Sequence, residues 1–283
     1  MGRWFPAGRA DLPYFCVVGS PIAHSKSPAI HGAFAAQLDV QLRYERVEVK
    51  AGQLAAAVAE FQAYGGRGMN VTLPLKEEAW QLAASRTPRA AQAGAANTLW
   101  FTDDGAVAVD NTDGAGLVRD LEVNHGVSLA GRRILLLGAG GAARGVVPAL
   151  LDAAPASLAI SNRTPARAAA LCASFVDRAV LEVVPWGQAP ETRPDVIING
   201  TTLSLHGELP PLPATAVAAG SVCYDMMYAN EATPFVAWAR GLGARLALDG
   251  LGMLVEQAAE SFARWHDLRP ATAPVIAALR GAR

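Results

Sequence analysis

The sequence predicts an α/β protein of two domains, the second of which is a doubly wound parallel sheet of the Rossmann type. In the second half of the 283-residue chain, short apolar runs alternate with helical patterns, which is typical of helices packed on both faces of a parallel sheet. A glycine turn follows the first of these runs only at Gly138. The roughly 110 residues before that sheet are enough for a separate α/β domain.

The first half contains three runs with the pattern of buried or half-buried strands, at 14–18, 44–49 and 68–72. Two helix starts are also visible. Ser27 has the character of an N-cap residue with Pro28 at the first helical position, and Pro74 starts a helix that is expected to run through residue 84.

The second half supplies the strands of the doubly wound sheet. They are expected at 134–137, 158–161, 180–184, 196–199, 222–226 and 245–248. The helix after the glycine turn contains Pro148, which lacks a peptide N–H and clashes with the carbonyl of Arg144, so we expect a kink or an early end there. Two helical patterns, 251–267 and 271–281, lie beyond the last strand. They either cover the second sheet or return to the first domain.

The turn after the 134–137 run is typical of a dinucleotide-binding strand–turn–helix unit. It comprises Gly138, Ala139, Gly140, Gly141 and Ala142. Gly138 allows the tight turn, and Gly140 lets the backbone approach a pyrophosphate. Ala143 takes the third small position, where the helix packs close to the strand.

The residues after the next strand predict which dinucleotide binds. An NAD site needs a carboxylate there, which accepts hydrogen bonds from the ribose hydroxyls. This chain instead has Asn162, Arg163 and Thr164, with Arg167 one turn later. Because a planar guanidinium can hold a phosphate through two parallel hydrogen bonds, the sequence predicts NADP as the cofactor.

Two charged side chains are candidates for proton transfer. Lys76 lies at a helix start beside Glu77 and Glu78, where the glutamates suit the positive end of the helix and a lysine does not. It is either a solvated lysine or a proton donor. In one interpretation, Thr112 or Asp113 caps the next helix. In the other, the Asp113 carboxylate faces a crevice between the two domains.

Other polar residues also have both a structural and a functional interpretation. Ser25 and Ser27 present two hydroxyls either to solvent and the helix end or to a polyol or carboxylate ligand. Asn97 places an amide beside a strand-like run. Tyr228 follows a strand whose end would face the ligand crevice, and Gln257 lies within a C-terminal helix, where an exposed glutamine is the ordinary interpretation.

Composition excludes several classes of protein. A net charge of −1 gives no electrostatic signature for nucleic acid or an anionic membrane. Three cysteines without a CxxC motif, and His24 and His31 without a third ligand at a sensible spacing, argue against a disulfide framework and against a metal site. The start has no apolar signal core, and the apolar window 134–151 is interrupted by Arg144 and Pro148, so we expect a cytoplasmic protein with a small-molecule substrate.

Eight segments, taken together and in order, resemble the shikimate dehydrogenase family, and they span roughly residues 17–258. They are Gly19-Ser-Pro-Ile-Ala-His-Ser-Lys-Ser-Pro-Ala-Ile-His31, Asn70-Val-Thr-Leu-Pro-Leu-Lys76, Gly94-Ala-Ala-Asn-Thr98, Asp110-Asn-Thr-Asp-Gly114, Gly138-Ala-Gly-Gly-Ala-Ala143, Asn162-Arg-Thr164, Tyr224-Asp-Met-Met-Tyr228 and Gly250-Leu-Gly-Met-Leu-Val-Glu-Gln257. The segment 199–207 departs from the family's usual Asn-Ala-Thr-Ser type.

This resemblance implies a substrate domain, 1–112 with 250–283, around an NADP domain, 113–249. The C-terminal helices would return to the substrate domain. The implied reaction is the reversible NADPH-dependent reduction of 3-dehydroshikimate to shikimate, in the shikimate pathway of chorismate and aromatic amino-acid biosynthesis, by a monomer or homodimer.

The resemblance also implies roles for individual residues. Substrate contacts would come from Ser25, Ser27, Thr72, Asn97, Tyr228 and Gln257. Ser25 and Ser27 would hold the substrate carboxylate, with Tyr228 nearby, and the others would bind ring hydroxyls. Lys76 and Asp113 would be the proton-transfer pair. NADP would be held by Gly138, Ala139, Gly140, Gly141, Ala142 and Gly250, and its 2′-phosphate by Asn162, Arg163, Thr164 and Arg167.

Three alternatives stay open. The first is a quinate/shikimate dehydrogenase that prefers NAD, against which Arg163 argues. The second is a paralogue that acts on another cyclic hydroxy acid, which the serine pair and Lys76 fit equally well. The third is an NADP-sensing binding protein without turnover, against which the presence of both Lys76 and Asp113 argues.

Overall fold

The computed structural model describes residues 3–5, 11–179 and 181–281. The chain divides into two compact units. One comprises the described chain up to Gly116 together with Val255–Arg280, and the other is formed by Leu117–Leu254. Both boundaries fall inside helices. They lie a few residues after the predicted boundaries at 112 and 249.

The first unit contains a mixed six-stranded sheet. Its elements are β1 (Tyr14–Gly19), α1 (Ser27–Leu38), β2 (Arg43–Glu48), α2 (Leu54–Ala63), β3 (Gly66–Val71), α3 (Lys76–Leu82), β4 (Ser85–Arg86), α4 (Pro88–Ala93), β5 (Thr98–Phe101), β6 (Val107–Asp110) and the first turn of α5 (Asp113–Arg119). The strand order is β2-β1-β3-β5-β6-β4, and β5 runs antiparallel to both β3 and β6. The sequence does not predict β4 and β6, which are short and contain no long apolar run.

The second unit is a six-stranded parallel sheet. After a π-helical turn at Asp120–Asn124 it contains β7 (Arg133–Leu137), α6 (Gly141–Asp152), β8 (Ser157–Ser161), α7 (Pro165–Ala173), β9 (Glu182–Val184), β10 (Val196–Asn199), β11 (Val222–Asp225), α8 (Pro234–Gly241) and β12 (Leu246–Asp249). The strand order β12-β11-β10-β7-β8-β9 is that of a doubly wound dinucleotide-binding fold. The predicted fold class is confirmed. The predicted run 180–184 corresponds to β9, with residue 180 outside the described residues.

Two C-terminal helices follow, α9 (Leu251–His266) and α10 (Ala273–Gly281). Trp265 near the end of α9 donates from Nε1 to the carbonyl oxygen of Leu99 in β5 at 3.2 Å, and its ring lies 4.9 Å from that of Phe15 in β1. The same ring fills the space above Gly68, where an added Cβ would lie 2.5 Å from it. The C-terminal helices therefore return to the first unit, as the family resemblance implies.

Two local predictions differ from the structure: one of the two alternatives at Pro148 is excluded, and the assignment of Ser27 as an N-cap is wrong. Helix α6 does not end at Pro148 but continues to Asp152, because Val147 and Leu150 beside the proline are fully buried and their packing outweighs one missing hydrogen bond. The kink stays a prediction. Ser27 is not an N-cap but the first residue of α1, and its peptide N–H donates to Ser25 Oγ at 3.3 Å.

Within the described residues, no helix combines the length and the apolar character that a membrane crossing needs.

Candidate active site

Lys76 and Asp113 form a buried ion pair in the first unit. They are the first residues of α3 and α5, respectively. Lys76 Nζ donates to Asp113 Oδ2 at 2.5 Å, and the two side chains are only 11% and 5% exposed. Burying either charge alone is costly, so in this buried site each charge is stabilised by the other. Lys76 is therefore not a solvated lysine.

Asn97 fixes the second oxygen of Asp113. Its Oδ1 accepts the peptide N–H of Thr112 at 2.9 Å, and because an N–H can only donate, this contact identifies which end of the amide is the oxygen. Asn97 Nδ2 consequently faces Asp113 Oδ1 at 2.9 Å and Gln257 Oε1 at 3.1 Å. One carboxylate oxygen of Asp113 is thus bound to Lys76 and the other to Asn97.

A row of hydroxyl and amide groups lies behind Asn97. Thr98 Oγ1, which donates to Asn97 Oδ1 at 3.0 Å, lies 2.7 Å from Ser261 Oγ. Asn70 Nδ2 donates to Ser261 Oγ at 2.9 Å, and the Tyr44 hydroxyl donates to Asn70 Oδ1 at 2.7 Å. Burial raises the pKa of Tyr44 well above its usual value, which keeps that hydroxyl a donor. The Asn97 amide is consequently held in one orientation.

Sequence reasoning did not identify these supporting residues. The interpretation of Thr112 or Asp113 as a helix cap is wrong. Asn111 Oδ1 accepts the peptide N–H of Asp113 at 3.1 Å, whereas Thr112 Oγ1 lies 2.8 Å from Asn97 Nδ2. Two of them could have been found by their position in the sequence, since Thr98 directly follows Asn97 and Thr112 directly precedes Asp113.

The serine pair lies elsewhere in the first unit. Ser25 Oγ donates to Ser27 Oγ at 3.1 Å, and Ser27 is almost fully buried. Thr72 is half-buried just after β3, and its hydroxyl makes no hydrogen bond within the described part of the chain. Of the predicted substrate residues, the structure thus connects Asn97 directly to the ion pair and Gln257 to it through Asn97, and it joins the two serines to each other.

The glycine turn of the second unit has the geometry that its sequence predicts. Gly138 has φ +110°, and an added Cβ would lie 3.0 Å from the carbonyl oxygen of Gly200. Gly140 precedes the twelve-residue α6, and a Cβ there would meet nothing within 4 Å. Ala143 is fully buried against the sheet. An open backbone at the N-terminus of a helix fits a pyrophosphate.

The segment after β8 is polar and exposed. Asn162 Nδ2 donates to the carbonyl oxygen of Thr164 at 2.9 Å, as does the peptide N–H of Arg167 at 3.0 Å. Neither Arg163 nor Arg167 has a carboxylate within 4.0 Å among the residues described. Two exposed guanidinium groups without an acidic partner fit a phosphate group.

Four other predicted cofactor positions have structural explanations of their own. Ala139 and Ala142 pack on the core of the second unit, and Gly141 is the first residue of α6. A Cβ at Gly250 would lie 2.3 Å from the carbonyl oxygen of Met226, so this position requires glycine with or without a ligand. Their contacts with a cofactor stay predictions, as does the role of Tyr228, which is half-buried and lies three residues beyond β11.

Asp225 organises the loops at the end of β11. Its Oδ2 accepts the hydroxyls of Ser204 and Thr233, each at 2.6 Å. Its Oδ1 accepts Asn199 Nδ2 at 3.1 Å and the peptide N–H of Met227 at 3.0 Å. Burial raises the pKa of Asp225 despite these four bonds. The segment 199–207, which departs from the family pattern, is tied to β11 by this carboxylate.

No group of three potential metal ligands occurs among residues 3–5, 11–179 and 181–281. His24 is exposed, whereas His31 is fully buried and stacks on Tyr44 with ring centroids 4.3 Å apart.

Comparisons with known proteins agree with these features. Three family models match in order: the shikimate dehydrogenase substrate binding domain at residues 17–99, shikimate / quinate 5-dehydrogenase at 121–204, and the shikimate 5′-dehydrogenase C-terminal domain at 250–280. The chain is 56% identical to the shikimate dehydrogenase (NADP(+)) of Alkalilimnicola ehrlichii, over 94% of this chain and 98% of that protein.

Two solved structures show the same fold. Shikimate 5-dehydrogenase from Thermus thermophilus, in complex with NADP(H) and shikimate, is 33% identical with a TM-score of 0.85, covering 96% of this chain and 100% of that one. The 5-ketofructose reductase of a Gluconobacter species is 29% identical with a TM-score of 0.83, covering 96% and 99%. The sequence, the fold and these relatives together place the chain in the shikimate dehydrogenase family.

Proposed function

We propose that this protein is an NADP-dependent shikimate dehydrogenase, which reduces 3-dehydroshikimate to shikimate reversibly in the shikimate pathway. The observation that carries the proposal is the buried Lys76–Asp113 pair with Asn97 bound to its far oxygen. A chain that only senses NADP would have no need of a buried, hydrogen-bonded ammonium group. The 56% identity to an enzyme named for this reaction supports the same substrate.

In this proposal, the first unit binds the substrate. The Ser25 and Ser27 hydroxyls, 3.1 Å apart, would donate to the substrate carboxylate. Thr72, Asn97 and Gln257 would hydrogen-bond the ring hydroxyls. Both N–H groups of the Asn97 amide are directed at Asp113 Oδ1 and Gln257 Oε1, so a ring oxygen bound by this nitrogen would take the place of the Gln257 acceptor.

The proton would move at Lys76 Nζ. When bound, NADPH supplies the hydride that reduces the ketone carbon. Lys76 would donate a proton to the oxygen of that carbonyl, and in the reverse direction it would remove the proton from the substrate hydroxyl. Asp113 Oδ2 would hold the ammonium in place, and Asn97 would prevent the carboxylate from turning away.

The second unit would hold the cofactor. The pyrophosphate would lie at the N-terminus of α6, against the open backbone of Gly140. Arg163 and Arg167, with Asn162 and Thr164, would hold the 2′-phosphate that distinguishes NADP from NAD. We further propose a cytoplasmic enzyme that acts as a monomer or a homodimer, and both of these stay predictions.

The test is the initial rate of NADP reduction with shikimate, then with quinate, each repeated with NAD. We expect turnover with shikimate and a higher kcat/KM with NADP than with NAD. Because 5-ketofructose reductase shares the fold, NADPH oxidation by 5-ketofructose belongs in the same panel. Failure to oxidise shikimate with either cofactor would overturn the proposal, and turnover of only another substrate would favour the paralogue.

A further inference from the structure

Arg46 lies beside the serine pair and has no acidic partner. Its Nε donates to the carbonyl oxygen of Ser25 at 2.6 Å. Within the described chain, no carboxylate lies within 4.0 Å of its guanidinium group. Glu48 is two residues further along β2 and on the same strand face, but its carboxylate accepts the Ser20 hydroxyl at 2.9 Å. Arg46 thus keeps its positive charge uncompensated next to Ser25.

The N-terminus of α1 adds to the positive electrostatic potential around Ser25. The helix is twelve residues long, its N-cap residue Lys26 supplies no side-chain oxygen, and Pro28 has no peptide N–H. The Ser25 hydroxyl accepts the Ser27 peptide N–H there. Two hydroxyl groups, a helix N-terminus and a guanidinium group therefore meet at one site, without a carboxylate among the described contacts of the arginine.

We propose that Arg46 is a specificity-determining residue of the substrate site, which selects a ligand that is anionic at the end facing Ser25 and Ser27. The two hydroxyls alone suit a neutral polyol as well as a carboxylate. The guanidinium group removes that ambiguity. Its Nε–H is bound to the Ser25 carbonyl oxygen, and its terminal N–H groups, which have no acceptor among the described residues, can engage a carboxylate oxygen. The inference rests on the proposed function, because it adds a residue to the same site.

The effect should be moderate, because Arg46 is exposed and water screens its charge. We expect Arg46→Gln to raise KM for shikimate about fivefold to tenfold, with kcat and KM for NADP changed less than about twofold. Arg46→Lys should recover part of the loss, since it restores the charge but not the planar group.

Arg43→Gln is the matched control. Arg43 lies on the same strand and its loss changes the net charge equally, but it faces the opposite side of the sheet and is paired with Glu45 at 2.7 Å. The KM of the Arg43→Gln variant for shikimate should stay within about twofold of the wild-type KM.

Ionic strength provides a readout that a purely structural role would not move. At saturating NADP, added salt should raise KM for shikimate in the wild type and in Arg43→Gln, but much less in Arg46→Gln. If Arg46→Gln keeps both the KM and the salt dependence of the wild type, the inference is wrong while the proposed function stands. If the wild type itself does not oxidise shikimate, the proposed function fails first.

Discussion

Replacing Lys76 with arginine should separate the structural role of the ion pair from its chemical role. Arginine keeps the positive charge that Asp113 requires, but it does not release its proton in proteins. We therefore expect Lys76→Arg to fold normally and to lose activity. Since general acid–base catalysis contributes about 10²- to 10⁴-fold, kcat should fall by that factor, with a smaller change in KM. Lys76→Ala should lower kcat by at least as much.

The magnitude of the structural role follows from the burial of the pair. Lys76→Met removes the 2.5 Å partner of an Asp113 side chain that is only 5% exposed. Breaking a buried pair by removing one partner costs about 3–5 kcal/mol. Because Asn97 still donates to the other carboxylate oxygen, we expect the lower end of this range, a loss of about 3 kcal/mol in the free energy of unfolding. Adding Asp113→Asn removes the isolated charge and should recover much of that loss, but none of the activity.

The assay combines initial rates of NADP reduction by shikimate with denaturant unfolding of each variant. Recovery of stability without recovery of kcat is the expected pattern. Two results would refute the reasoning: a Lys76→Arg variant whose kcat lies within tenfold of the wild type, or a double variant that is as unstable as the sum of the single ones.

Further predictions concern the cofactor unit and the buried histidine. Arg163→Ala should lower kcat/KM with NADP by about tenfold or more and leave kcat/KM with NAD nearly unchanged, and an equal loss with both cofactors would contradict its role at the 2′-phosphate. Gly138→Ala should lower the free energy of unfolding by more than about 1 kcal/mol, since its φ is +110° and the new Cβ would press on Gly200. Gly140→Ala, whose Cβ meets no protein atom, should keep that stability but weaken NADPH binding in a titration; unchanged binding would contradict the pyrophosphate assignment. Burial, and next the neighbouring histidine, lowers the pKa of His31 to about 3. Below pH 6.5 only the unfolded chain takes up this proton, so stability should fall by about 1.4 kcal/mol per pH unit as the pH drops toward 3. His31→Phe should flatten this part of the pH profile of unfolding, and an identical profile would argue against the histidine.

The fold of the second unit could be predicted from the sequence because the patterns that indicate it are local. Buried parallel strands are short apolar runs, and each lies beside the turn residues that end it. Gly138 directly follows β7 and Arg163 lies two residues beyond β8, so the position of each residue in the fold follows from its position in the sequence. The kind of cofactor could be inferred for the same reason.

The hydrogen bonds that support Asn97 in the first unit could not be predicted from the sequence, because they join residues that are distant in the chain. Asn70 and Ser261 are 191 positions apart and share one hydrogen bond. No spacing rule connects a strand residue with a helix residue at that separation. Arg46 was missed for a related reason, since an exposed arginine on a strand looks like any solvated side chain until the Ser25 carbonyl is found beside it.

Where a local signal failed, another interaction opposed it. Pro148 marks the end of a helix by its own chemistry, yet its buried neighbours hold the helix through it. Ser27 is a good cap residue by type, but α1 already begins at Ser27, and the Ser27 peptide N–H is accepted by Ser25 Oγ.

The four hydrogen bonds to Asp225 also have a consequence for motion. They come from three stretches of chain: the end of β10 with the loop after it, the loop after β11, and the residue at the start of α8. None of these stretches can detach without exposing a buried carboxylate, so they should open together as one cooperative unit, with peptide hydrogens that exchange with solvent at a common rate. A ligand that stabilises any one of the three stretches would then slow exchange in all of them.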